Sequence, residues 1–190
     1  IGGALAGIAW YYPFVMPLLA IPVGLFLLFG ISEPEMEKPA SFRQYLKAIS
    51  GNILRKEVIA IFILGTVTFI ILYGAFLTYI PFLLNQKFDF SAPKIGFVLS
   101  LSSFTSALVA SQVGKLTWKF GSMKLMRTAF VLYIIVALLI PNMNNIYIFV
   151  VPILLFGSAQ ALNMPSLQTA LATLAPDNQR GAFMSLNGMV

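Results

Sequence analysis

The chain has 190 residues, of which 59% are hydrophobic and only 9% are charged. Soluble domains carry about 25% charged residues, so this composition excludes a water-covered surface and indicates one covered by lipid. Cysteine and histidine are both absent, which removes disulfides, thiolate nucleophiles, the commonest transition-metal ligands and the usual general base. The net charge of +6 suits anionic lipid better than nucleic acid, because the basic residues adjoin apolar segments.

Apolar segments of about 20 residues, enough to cross a membrane as a helix, recur along the chain. Residues 1–9 are interpreted as the tail of one span, and the next opens at Pro13 and runs uncharged to Ile31. Further spans are predicted over 58–84, 92–113, 125–140 and 146–175, and another helix opens at Gly181. The pattern predicts an all-α, polytopic transmembrane helix bundle that is truncated at both ends.

Residues 33–57 hold half of the charged side chains and separate two groups of spans. Apolar side chains recur there at helical spacing, with Arg43 and Lys47 on the other side: Phe42, Tyr45, Leu46, Ile49 and Ile53. This pattern predicts an amphipathic helix on the membrane surface, and a solvated linker is the alternative.

The loops differ in charge according to the side of the membrane on which they are predicted to lie. Ten basic residues fall on one side: Lys38, Arg43, Lys47, Arg55, Lys56, Lys115, Lys119, Lys124, Arg127 and Arg180. The other side holds Lys87 and Lys94. Because cytoplasmic loops carry the excess of Lys and Arg, residues 33–57 are predicted to be cytoplasmic and 85–91 to face outside.

The complete predicted spans carry no charged residue at their centres, so no proton relay is evident in them. Their many hydroxyls lack a neighbouring base, which argues against an enzyme. Gln160 and Asn163 are three residues apart and share a helix face, where they either line a cavity or bond to another helix.

Thr66, Phe69, Tyr73 and Phe76 are predicted to share one helix face. An aromatic face with a hydroxyl suits a lipophilic, partly polar ligand. Ordinary packed or lipid-facing aromatic side chains are the alternative.

Five segments resemble, in order, motifs of the major facilitator superfamily, most closely those of its twelve-helix drug/proton antiporters. They are 1–7 (IGGALAG), 10–14 (WYYPF), 33–35 (EPE), 114–121 (GKLTWKFG) and 176–181 (PDNQRG). Gly3 and Gly7 form a pair of small residues that permits close helix packing. Gly114, Lys119 and Gly121 match the cytoplasmic loop Gly-x-Leu-x-Asp-(Arg/Lys)-x-Gly, in which Trp118 replaces the acid.

The resemblance implies a fragment from late in the family's fifth helix to early in its eleventh. Residues 1–32 would end the N-terminal bundle, 33–57 would be the linker, and 58–190 would form part of the C-terminal bundle. The family's central cavity is lined by its helices one, four, seven and ten. Thr66, Phe69, Tyr73 and Phe76 would face that cavity from helix seven, and Gln160 and Asn163 from helix ten.

The function so implied is secondary active transport, with efflux of lipophilic small molecules in exchange for protons by alternating access in the cell membrane. The expected partners are a small-molecule substrate, membrane lipid and protons, which would be carried by the missing N-terminal half. No cofactor, metal or nucleic acid is expected. Metabolite uptake or facilitated diffusion on the same fold is the alternative, and a non-transporting membrane protein is a weaker one.

Overall fold

The computed structural model describes residues 5, 8, 9, 11–30 and 55–175, except the side chains of Met16 and Leu19. The described residues contain helices and no strand, which confirms the predicted all-α class. Five helices of this described part are long and apolar enough to cross a membrane. They are α1 (Tyr12–Gly30), α2 (Lys56–Phe88), α3 (Ala92–Phe120), α4 (Ser122–Asn142) and α5 (Ile146–Leu174).

Local sequence signals determine where these helices begin. Ser91 is extended and immediately precedes α3, and Pro93 occupies its first turn, where the missing N–H costs nothing. The Asn145 side chain accepts a hydrogen bond from the Tyr147 N–H at 2.9 Å and so caps α5. Both starts lie where the sequence predicts them.

The spans predicted over 92–113 and 125–140 leave the basic segment 114–124 as a loop, and this expectation is wrong, because α3 continues as a helix to Phe120. Gly114 and Lys119 are therefore helical, and Gly121 alone makes the turn into α4, with a φ of 80°. One glycine inside a helix costs only about 1 kcal/mol, which the surrounding helix tolerates. The 29 residues of α3 rise by about 44 Å, more than the roughly 30 Å of hydrocarbon, so its charged end reaches the headgroups.

The middle of α2 is a π helix from Ile70 to Tyr79. Thr78 fits this wider winding, since its hydroxyl donates to the Tyr73 carbonyl, five residues back, at 2.7 Å. Pro81 lies two residues after the segment, and its ring lacks an N–H and crowds the preceding turn. As a result, the two ends of α2 are rotated relative to each other compared with their arrangement in a continuous α helix.

Helix α5 is the centre of the bundle and packs against α2, α3 and α4. Toward its N-terminal end it buries Phe149, Ile153 and Phe156 in one apolar cluster. Toward its C-terminal end, Leu167 and Leu171 join a second cluster with the first turns of α2. By contrast, the second half of α1, Ala20–Gly30, contributes no buried residue.

The described basic residues lie at the two ends of the bundle in unequal numbers. Successive helices run in opposite directions, so the end of one helix and the start of the next lie on the same side. At the end shared by the starts of α2 and α4 lie Arg55, Lys56, Lys115, Lys119, Lys124 and Arg127; at the opposite end lie Lys87 and Lys94. The linker helix, the pair Gly3 and Gly7, and the helix opening at Gly181 lie outside the described residues. The division into 1–32, 33–57 and 58–190 stays a prediction.

The charge asymmetry predicts the orientation of the chain in the membrane. Cysteine placed at Ser91 should react with an impermeant thiol reagent on intact cells, and cysteine at Met123 should not, because the latter would be cytoplasmic. Both positions are solvent-accessible, so accessibility alone does not explain a difference. The experiment uses a full-length protein from which any other cysteine has been removed. Cells opened with detergent, in which both positions should react, provide the control. Labelling of position 123 alone on intact cells would reverse the orientation.

Candidate functional site

Uncharged polar side chains from three helices meet around the middle of α5. The Tyr133 hydroxyl of α4 donates to Gln160 Oε1 at 2.6 Å. Asn163 Nδ2 donates to Thr68 Oγ1 of α2 at 2.7 Å, and the Thr68 hydroxyl donates in turn to the Leu64 carbonyl at 2.8 Å. We call Thr68, Tyr133, Gln160, Asn163 and Ser166 the polar cluster.

Two atoms of the polar cluster have no hydrogen-bond partner in the part of the chain that the structure describes. They are Asn163 Oδ1 and Ser166 Oγ, one helical turn apart, and both residues are fully buried. Leaving such an atom unpaired costs about 1–3 kcal/mol. Pro165 lies between the two residues and lacks the N–H that would otherwise bond to the Ala161 carbonyl. This turn of α5 can therefore accept further hydrogen bonds at membrane depth.

An apolar groove of about 460 Å³ lies between α2 and α4, beside the polar cluster. Its lining includes Ile71, Tyr79, Phe130, Ile134 and Ala137, and Phe76 and Phe156 also contribute to it. The rings of Phe76 and Phe156 stack with their centroids 3.9 Å apart. We call this feature the α2–α4 groove; its size and apolar lining are those of a small-molecule pocket.

The aromatic face predicted on α2 is divided by the π segment. Phe69 and Tyr73 stack at 5.9 Å, and Tyr73 is 57% exposed. Phe76, three residues after Tyr73, is buried and points into the bundle. Residues three apart are further from alignment in a π helix than in an α helix, so these two side chains do not share a face. The Thr66 hydroxyl donates to the Phe62 carbonyl of its own helix at 3.0 Å. The role of these four residues in a substrate cavity stays a prediction.

Gln160 and Asn163 share a face of α5, and each hydrogen-bonds to a neighbouring helix. Gln160 is partly exposed and Asn163 is fully buried. Only Gln160 is therefore open to a ligand in this conformation, and its cavity role, like that of Asn163, stays a prediction.

The remaining motif residues lie at the end of α3. A Cβ at Gly114 would meet no atom within 4 Å, so among the described residues it serves no close helix contact. Lys119 Nζ lies 5.2 Å from the centroid of the Phe120 ring. Gly3 and Gly7 lie outside the described residues.

The close helix contact is made by a residue that the motif comparison missed. A Cβ at Gly157 of α5 would lie 2.9 Å from the Ser102 carbonyl carbon of α3, and closer still to its oxygen. The spacing of Gly157 and Ala161 is a small-xxx-small pattern that could have identified it. Tyr133 was also missed, although a single tyrosine within an apolar span is a recognisable signal.

The bundle and its interior polar residues define a polytopic helical membrane protein. Its central helix, α5, is held by hydrogen bonds between uncharged side chains. Among the described residues, no group of three His, Cys, Asp or Glu side chains could hold a metal ion. Comparison with protein families assigns the chain: it belongs to the Major Facilitator Superfamily, whose family model matches residues 1–190. Members of this family are secondary transporters of small molecules. No curated protein and no solved structure matches the chain.

Proposed function

We propose that this chain is part of a proton-coupled exporter of lipophilic small molecules in the cell membrane. The interior of the described bundle offers aromatic rings, hydroxyls and amides, and its described charges lie toward the helix ends. Burying an unpaired charge is costly, so such an interior favours a cargo that is apolar with a few polar atoms. The proton-carrying acids are expected outside the described residues.

The observation that supports the proposal is the aromatic pair at the middle of α2, in which Tyr73 is exposed and Phe69 is half-buried. Tyr73 presents a ring face and a hydroxyl, and its stacking on Phe69 keeps the ring in place. Such a side chain can contact an apolar ring and also hydrogen-bond to a polar substituent. Gln160 on α5 can both donate and accept, which suits several substrates without a fixed charge.

The α2–α4 groove is the competing location for a lipophilic ligand. It lies on the side of α2 that carries Phe76, whereas Tyr73 is exposed. Filling the groove therefore distinguishes the two surfaces. Ala137→Trp would place a large ring there while keeping the native residues at positions 73 and 160.

We expect Tyr73→Ala and Gln160→Ala to change which compounds are exported more than they change expression. One aromatic contact is worth about 0.5–1.5 kcal/mol, so apparent affinities should fall roughly two- to tenfold for aromatic compounds and less for others. Full-length protein in proteoliposomes, assayed for compound efflux and for substrate-driven proton movement, provides the measurement. Tyr147→Ala, at the exposed start of α5, is the matched control.

The outcomes separate the alternatives. If expression is normal and every compound is exported as before, Tyr73 and Gln160 are packing residues. If Ala137→Trp alone alters the compound profile, the α2–α4 groove is the substrate surface. Compound movement without proton movement would make the protein a facilitator.

A further inference from the structure

The end of α3 carries a shallow basic groove of about 480 Å³, lined by Gly114, Lys115, Trp118 and Lys119. These residues are spaced as two i, i+4 pairs, so they share one face of the helix. Gly114 contributes no side chain, and a Cβ there would meet no atom of the described residues within 4 Å, which leaves the groove open toward them. We call this feature the α3 groove.

Among the described residues, no acidic side chain lines the α3 groove beside its two lysines. Like charges four residues apart on a helix repel each other, and an anion between them reverses that effect. The first turns of α4 bring Lys124 and Arg127 to the same side of the membrane. Among the described residues, Glu57 is the only acid at this end. The groove is therefore suited to an anion.

Trp118 identifies the chemistry of that anion. Its side chain is 91% exposed, and it lies in the last turn of α3, where we expect the helix to leave the hydrocarbon because the helix is longer than the hydrocarbon is thick. Exposed tryptophans at that depth are typical of the membrane interface, where the ring lies among headgroups and the first acyl carbons. A free phosphate would bind the lysines and leave Trp118 in water. A phospholipid satisfies both, because it joins a phosphate to apolar chains.

We propose that the α3 groove is a binding site for an anionic phospholipid, with its headgroup on Lys115 and Lys119 and its glycerol and upper acyl region against Trp118. The site is separate from the substrate surfaces on α2 and α5, and it does not depend on what is transported.

Quenching of Trp118 fluorescence by brominated lipid tests this site. The full-length protein, with every tryptophan except Trp118 replaced by phenylalanine, is placed in phosphatidylcholine vesicles. One set of vesicles contains brominated phosphatidylglycerol, and a second set contains the same fraction of brominated phosphatidylcholine. One lysine near the surface favours anionic lipid by about 1 kcal/mol, so we expect phosphatidylglycerol to be preferred about fivefold or more at low salt.

The double variant Lys115→Gln/Lys119→Gln should quench equally with the two lipids, and Lys94→Gln, at the opposite end of α3, should keep the preference. Equal quenching in the unsubstituted lysine background would overturn the proposal. So would a preference that survives removal of both lysines. If the preference is lost when inorganic phosphate is added at constant ionic strength, the ligand of the α3 groove is a free anion and not a lipid.

Discussion

Gly157→Ala should lower the melting temperature of the full-length protein in detergent by roughly 3–10 °C. An added Cβ would lie 2.9 Å from the Ser102 carbonyl carbon and 3.0 Å from its Cα. These are backbone atoms, so the clash is relieved only if α3 and α5 move apart. Overpacking of this kind costs about 1–3 kcal/mol, and 1 kcal/mol corresponds to about 2–4 °C in a chain of this size.

Gly114→Ala is the matched control, because Gly114 is also helical but its added Cβ would meet nothing within 4 Å. Replacing a helical glycine by alanine gains about 1 kcal/mol when space allows, so this variant should melt higher. The two glycines are therefore expected to respond with opposite signs. A higher melting temperature for both variants would mean that α3 and α5 are not in close contact at Gly157.

Thr68→Val should also destabilise the protein, by about 1–3 kcal/mol, because it removes the hydroxyl that accepts a hydrogen bond from the buried Asn163 amide, whose oxygen has no partner among the described residues. Asn163→Leu should be close to neutral or stabilising, since it removes an oxygen that has no partner. Adding Thr68→Val to Asn163→Leu should then cost little, which a double-mutant cycle of melting temperatures would measure. Hydrogen bonds between membrane helices average about 0.6 kcal/mol in such cycles, and a larger coupling is expected here because both partners are buried.

The same variants separate a folding role of the polar cluster from a role in transport. If the cluster serves transport, Asn163→Leu should reduce export while the protein melts at the same temperature or higher. Additive effects of the two substitutions would show that the Thr68–Asn163 bond does not form in the folded protein. Thr66→Val is the control, because the Thr66 hydroxyl bonds only within its own helix at 3.0 Å.

The number and order of the spans could be predicted from the sequence because their signals are local. A run of apolar residues is sufficient to predict a span, and Ser91, Pro93 and Asn145 each mark a helix start through the backbone groups of the next turn. The end of α3 was predicted wrongly by the same local reasoning. Gly114 and the lysines after it suggest a loop, but a helix can extend beyond the hydrocarbon at little cost.

The composition of the site was harder to predict, because it depends on contacts between distant parts of the chain. Asn163 and Thr68 are 95 residues apart, and their hydrogen bond exists only because α2 packs against α5. Gln160 could be chosen as an interior polar residue, but its partner Tyr133 could not be assigned from spacing. The faces of α2 were misjudged because helical periodicity assumes a constant winding, which the π segment interrupts.

The π segment also gives α2 a way to turn without tilting. Wider turns hold more residues, so a change of Ile70–Tyr79 to ordinary α winding would lengthen this stretch and rotate one end of α2 against the other like a screw. A different side chain would then occupy a given position on the surface of α2, so a neighbouring residue would replace Tyr73 there. Each residue would exchange one backbone partner for the adjacent one, so most of the hydrogen bonding is retained. One helix could in this way offer two different linings to the same space.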